Sequence, residues 1–138
     1  MEVKTRRWGI TALTVFFLAG AAISLTAGVS LFLPDSFRES IWRLNPRAHE
    51  KLTSLGVWGS ILLTTVSALC AAAAIGLWRR LRWGYWITVC LIGINLIANV
   101  TNVLLGTEPR AIVGIPIAAA ILAYLMRKKV REAFRPQT

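Results

Sequence analysis

Four stretches of the chain contain no Asp, Glu, Lys or Arg: Trp8 to Pro34, Leu52 to Trp78, Trp83 to Thr107 and Ala111 to Met126, of 27, 27, 25 and 16 residues. A helix rises about 1.5 Å per residue and a bilayer's hydrocarbon core is about 30 Å thick, so roughly 20 apolar residues cross it. The first three stretches exceed that length. The fourth reaches it once Glu108, Pro109 and Arg110 lead in and Arg127 and Lys128 snorkel behind. The pattern predicts an all-α integral membrane four-helix bundle in a single domain, with spans near 8–33, 53–78, 83–106 and 110–126. A re-entrant or interfacial fourth segment is the alternative.

Between the first two stretches, Ser36-Phe37-Arg38-Glu39 has the form of a capping box. Phe37, Ile41 and Leu44 follow at helical spacing, predicting a short amphipathic helix over 37–44 on the outer surface, in the first extracytoplasmic loop. Asn45-Pro46 suits the start of the next helix, with Asn as N-cap and Pro in the first turn. That helix is expected to run unbroken to Trp78 or Arg79. The turn Arg79-Arg80-Leu81-Arg82 then makes the second and third spans an antiparallel hairpin.

Composition agrees with this picture: 56% of residues are hydrophobic and 16% charged, against about 25% charged in a soluble domain. A water-soluble monomer is excluded, as are disordered and disulfide-framework classes. The net charge of +10 would suggest nucleic acid in a soluble protein. Here its distribution gives orientation instead. Eleven basic residues (Lys4, Arg6, Arg7, Arg79, Arg80, Arg82, Arg127, Lys128, Lys129, Arg131 and Arg135) fall on one side of the predicted membrane, and five (Arg38, Arg43, Arg47, Lys51 and Arg110) on the other. Positive residues stay cytoplasmic, which predicts both termini inside, and the charge needs no nucleic-acid partner to explain it. Trp8, Trp78, Trp83, Tyr85, Trp86 and Tyr124 sit near the cytoplasmic ends as an interfacial belt, with Trp58 near the outer end of the second span. The first apolar run is far longer than the roughly 7–15 residues of a secretory signal and is read as an uncleaved span.

The few polar residues within the spans are aligned. At about 100° per residue, Gly84, Thr88, Asn95, Asn99, Asn102 and Gly106 share one narrow face of the third span. On the second, Gly56, Ser60, Thr64, Ser67, Ala71 and Ala74 share another. Folding the hairpin at Arg80 and Leu81 sets Ser60 level with Asn102, Thr64 with Asn99 and Ser67 with Asn95. Gly20, Ser24 and Ala27 of the first span offer a third wall. An unpaired carboxamide is costly in hydrocarbon, so this stripe is expected to face other helices. Two readings stand: interhelical hydrogen bonds, or a polar pocket for a small uncharged ligand, a lipid head group or a file of waters.

Other chemistry has little to stand on. No titrating side chain accompanies the Asn residues, which removes proton coupling of that kind. Cys70 and Cys90 form no Cys-x-x-Cys motif and read as small buried hydrophobes; His49, the one histidine, reads as a solvated loop residue. Neither a cofactor nor an enzyme activity is expected. Arg79, Arg80, Arg82, Arg127, Lys128 and Lys129 beside the tryptophans could hold anionic lipid head groups, at about 1 kcal/mol per basic residue near the surface.

Gly76-Leu77-Trp78-Arg79-Arg80-Leu81-Arg82-Trp83-Gly84 and the ending from Tyr124-Leu125 to Val130-Arg131-Glu132-Ala133-Phe134 resemble the uncharacterised small prokaryotic four-span membrane proteins. That resemblance implies a prokaryotic origin and no activity. In size and span number the chain is also similar to small multidrug resistance transporters. Those carry a membrane-embedded Glu in the first span, and Trp8 to Leu33 has none, so their transport function does not carry over. The expectation is a non-catalytic structural or accessory protein that packs with itself, with a larger membrane protein partner or with anionic lipid. The rival is a transporter or channel-like binder using Asn95, Asn99 and Asn102.

Overall fold

The computed structural model describes residues 2–33, 39–40, 42–43 and 46–135, with side chains from Arg7 onward. The long helices among them are α1 (Glu2–Ser30), α2 (Pro46–Ser54), α3 (Val57–Trp78), α4 (Arg82–Leu104) and α5 (Ala111–Met126), followed by a short α6 (Lys128–Glu132). No strand occurs among the described residues. Arg7–Ser30, Val57–Trp78 and Arg82–Leu104, of 24, 22 and 23 residues, are each long and apolar enough to cross a bilayer. α5 has 16 residues, roughly 24 Å. A lead-in turn lengthens it, with Ala111, Ile112 and Val113 N–H donating to the carbonyls of Glu108, Pro109 and Arg110.

The class of fold follows from where the backbone hydrogen bonds go. In hydrocarbon no water satisfies an N–H or C=O, and a helix satisfies them within one segment. The outward surface matches that solvent: Ile23 and Ile97 are 69% and 68% exposed, and Phe16, Ile61, Leu62, Ile94 and Ile112 are exposed as well. No water-soluble surface would carry so much bare aliphatic area.

The expected continuous helix from Pro46 to Trp78 is corrected. It begins at Pro46 but breaks at Leu55 and Gly56, where Gly56 takes a φ of +57°. The break places α2 against the first turn of α3 so closely that a Cβ on Gly59 would lie 2.5 Å from the Leu52 carbonyl oxygen. Asn45 and the capping-box residue Ser36 lie outside the described residues, as do Phe37, Ile41 and Leu44 of the expected outer helix. Within that segment, Glu39, Ser40 and Trp42 are helical, and Arg43 N–H donates to the Glu39 carbonyl.

The chain packs as two compact units, Ala12–Ala74 and Met1–Thr11 with Ile75–Thr138. In the first, α1 and α3 meet through small residues. A Cβ on Gly28 would sit 3.3 Å from the Leu63 Cβ and 3.6 Å from the Thr64 hydroxyl, and the buried Ser67 hydroxyl donates to the Ala21 carbonyl at 2.8 Å. Trp42, 9% exposed, closes this unit from the loop. Its indole Nε1 donates to the Ser30 hydroxyl at 2.9 Å, and its ring lies 5.1 Å from that of His49. His49 is therefore part-buried in α2 with an unpartnered Nε2, which corrects its expectation as a solvated loop residue.

In the second unit, the end of α3 and the start of α4 touch backbone to backbone. A Cβ on Gly76 would overlap the Gly84 Cα, and one on Gly84 the Gly76 Cα. The turn between them closes with Leu81 N–H on the Gly76 carbonyl and Arg80 N–H on that of Leu77, with Arg80 in the left-handed region at φ 55°. That is a Schellman ending in which an arginine occupies the place usually taken by glycine.

Candidate functional site

Two groups of residues within the second unit carry chemistry, and each is built by an identifiable local device. The first is basic. α5 ends where Arg127 leaves helical geometry at φ −58° and ψ 132°, and the chain restarts as α6. Val130 on α6 and Phe134 in the turn just past its end are each 3% exposed. The Phe134 ring lies 5.3 Å from that of Tyr85, and the buried Tyr85 hydroxyl donates to the Leu125 carbonyl at 3.0 Å. One α4 side chain thus satisfies a terminal carbonyl of α5 and provides the surface on which α6 rests.

With Val130 and Phe134 inward, Lys128, Lys129, Arg131 and Arg135 are exposed. Arg79, Arg80 and Arg82 are exposed in the α3–α4 turn, Arg127 at the α5–α6 joint and Arg7 on α1. Gly9 packs directly on the Tyr124 hydroxyl, which brings the start of α1 to the same end of this unit. Trp8, Trp78, Trp83 and Trp86 are 70%, 69%, 47% and 54% exposed around it. Among the described residues, no carboxylate pairs with Arg79, Arg80, Arg82, Arg127 or Lys128. The result is a cationic collar rimmed by indoles, fixed to the helix ends by an apolar seam.

The second group is the amide stripe on α4. Asn99 Nδ2 donates to Asn95 Oδ1 at 3.0 Å, one turn earlier on the same helix. The Asn99 carboxamide lies against α5 at Gly114, where a Cβ would stand 2.6 Å from Nδ2. Asn102 accepts from the Thr107 hydroxyl at its side-chain and backbone oxygens, both at 3.2 Å. Asn95 is exposed, while Asn99 and Asn102 are part-buried.

Threonine hydroxyls within the helices behave differently from these amides. Thr11, Thr26, Thr64, Thr65, Thr88 and Thr101 all donate to the carbonyl four residues earlier. Of the residues set level with the Asn side chains, Thr64 thus bonds to Ser60 O and Ser67 to Ala21 O; Ser60 itself is 4% exposed. A threonine can satisfy its one donor on its own helix. A carboxamide has two N–H donors to place.

Residues 8–129, which contain all four uncharged stretches, match the family described as predicted membrane protein DUF2127. The chain belongs to the DUF2127 family. It is accordingly a membrane-embedded, all-helical protein. No curated protein and no solved structure matches it.

In this DUF2127 chain, the docking of the tail is the structural feature that reading the sequence missed. Its signal was present in Val130 and Phe134, at i and i+4 among basic residues. Both cysteines are free, Cys70 part-buried and Cys90 exposed, which corrects the expectation that both are buried. Among the described residues, no cluster of three or more His, Cys, Asp or Glu side chains could hold a metal ion.

Proposed function

We propose that this chain is a non-catalytic accessory protein of a prokaryotic cytoplasmic membrane that gathers anionic lipid head groups at its cytoplasmic end. The observation that carries the reading is the docked tail. Burial of Val130 and Phe134 beneath exposed Lys128, Lys129 and Arg131 holds those charges at the end of the apolar α5, the depth expected of a lipid phosphate. Exposed indoles beside them suit the head-group level. The excess of basic residues at this end also supports an orientation with both termini in the cytoplasm. The rival reading, a binder of small uncharged ligands along the Asn stripe, draws less support, because Asn95 and Asn99 bond to each other and Asn102 to Thr107.

Full-length protein in nanodiscs of mixed phosphatidylglycerol and phosphatidylcholine tests the reading by native mass spectrometry of the lipids retained. The expected result is preferential retention of phosphatidylglycerol, weakened by salt. Replacing Lys128, Lys129 and Arg131 together by Gln should lower that preference about tenfold or more, given about 1 kcal/mol per basic residue. Equal retention of the two lipids by the unaltered protein would refute it.

A further inference from the structure

Asn95 stands two residues past the midpoint of α4, which runs from Arg82 to Leu104, and so near the middle of the membrane. Its Oδ1 is turned toward Asn99, whose own carboxamide is held against α5 at Gly114. The bond from Asn99 fixes the rotation of the Asn95 amide; Asn95 is exposed, and its Nδ2 has no acceptor among the described residues. The escape that Thr88 and Thr101 use, bonding back to Gly84 and Ile97, leaves a carboxamide with a further N–H to place. Lipid tails offer no acceptor.

From this we infer that a second copy of the chain supplies the missing acceptor, with Asn95 at the centre of a two-fold α4–α4 contact. A carboxamide is self-complementary: the Nδ2 of one copy can donate to a carboxamide oxygen of its mate, and symmetry returns the bond. The surrounding surface has the right shape. Leu91, Asn95, Ala98 and Asn102, spaced by four, three and four residues, lie within about 60° on α4 and form one seam. Ala98 is exposed and small enough for two helices to approach closely there. Bulky Ile97 is exposed on a different face. The inference does not depend on lipid binding at the basic end, and either can fail alone.

The test uses full-length protein labelled at its amino terminus with donor or acceptor dye, reconstituted in lipid vesicles and diluted with lipid. Energy transfer should report a dimer whose dissociation constant rises about tenfold in Asn95→Leu, for two lost interhelical hydrogen bonds, and changes no more than about threefold in Asn95→Gln. Asn95→Leu removes a polar group from hydrocarbon, and circular dichroism checks that it remains helical. In a background with Cys70→Ser and Cys90→Ser, Ala98→Cys should form an oxidant-dependent disulfide dimer and Ile97→Cys should not. A monomeric unaltered protein, an Asn95→Leu variant that associates as well as the original, or equal cross-linking from both positions would each overturn the inference.

Discussion

Toward its first residues α4 buries Gly84, Tyr85, Thr88 and Ile92, whereas none of its residues beyond Ile92 is buried and Asn95, Ala98 and Ile97 lie exposed. The same helix, nearly as apolar at one end as at the other, is thus held in two ways. Its first half is seated by a backbone contact at Gly76 and Gly84 and by the Tyr85 hydroxyl on Leu125 O. Its other half carries carboxamides and little burial. Lipid is as apolar as a leucine side chain, so hydrophobicity cannot choose the buried half. Close approach and hydrogen bonding do.

Substitutions along α4 test that contrast. The largest effect is expected from Gly84→Leu, which drives a side chain into the backbone at Gly76 and should cost about 3 kcal/mol, at the upper end for overpacking. Unfolding of reconstituted protein in a detergent titration measures it; an unchanged midpoint would mean that the glycine contact does not hold the two helices. Tyr85→Phe keeps the ring under Phe134 but leaves Leu125 O without its donor. A loss of about 1.5 kcal/mol is expected, with faster limited proteolysis within Lys128–Arg131.

A gain is expected at the preceding turn. Arg80→Gly relieves a left-handed residue and should stabilise by about 1 kcal/mol in the same titration, while removing one charge from the collar. The smallest effect belongs to Gly93→Ala, because nothing lies within 4 Å of a Cβ built there. A change of about 0.5 kcal/mol in the stabilising direction is expected, since alanine is the better helix former. If Gly93→Ala were as damaging as Gly84→Leu, the contrast between the two halves would be lost.

Helix positions were legible to within a few residues because each span must satisfy its own backbone wherever it sits. The predicted segment 83–106 is found as Arg82–Leu104, and 110–126 as Ala111–Met126. The break at Gly56 was not legible. Leu52 to Trp78 is uniformly uncharged, and only the approach of α2 to Gly59 calls for a turn there. At the candidate sites, the shared face of Asn95, Asn99 and Asn102 could be read from spacing, but their partners could not. A hydroxyl on a helix has a carbonyl four residues back always within reach, so Thr64 and Thr88 offer no guide to what their helix touches.

The sequence by itself determined that this chain lives in a membrane and roughly where its helices begin and end, since length and the absence of charge decide both. Tertiary structure decided what each polar group does: that Ser67 reaches the Ala21 carbonyl, that Trp42 reaches Ser30, and that Tyr85 holds the end of α5 with the basic tail folded beside it. The physical reason is directionality. Apolar transfer depends on how much surface leaves water, which composition records, while a hydrogen bond depends on which atoms arrive within 3 Å of one another.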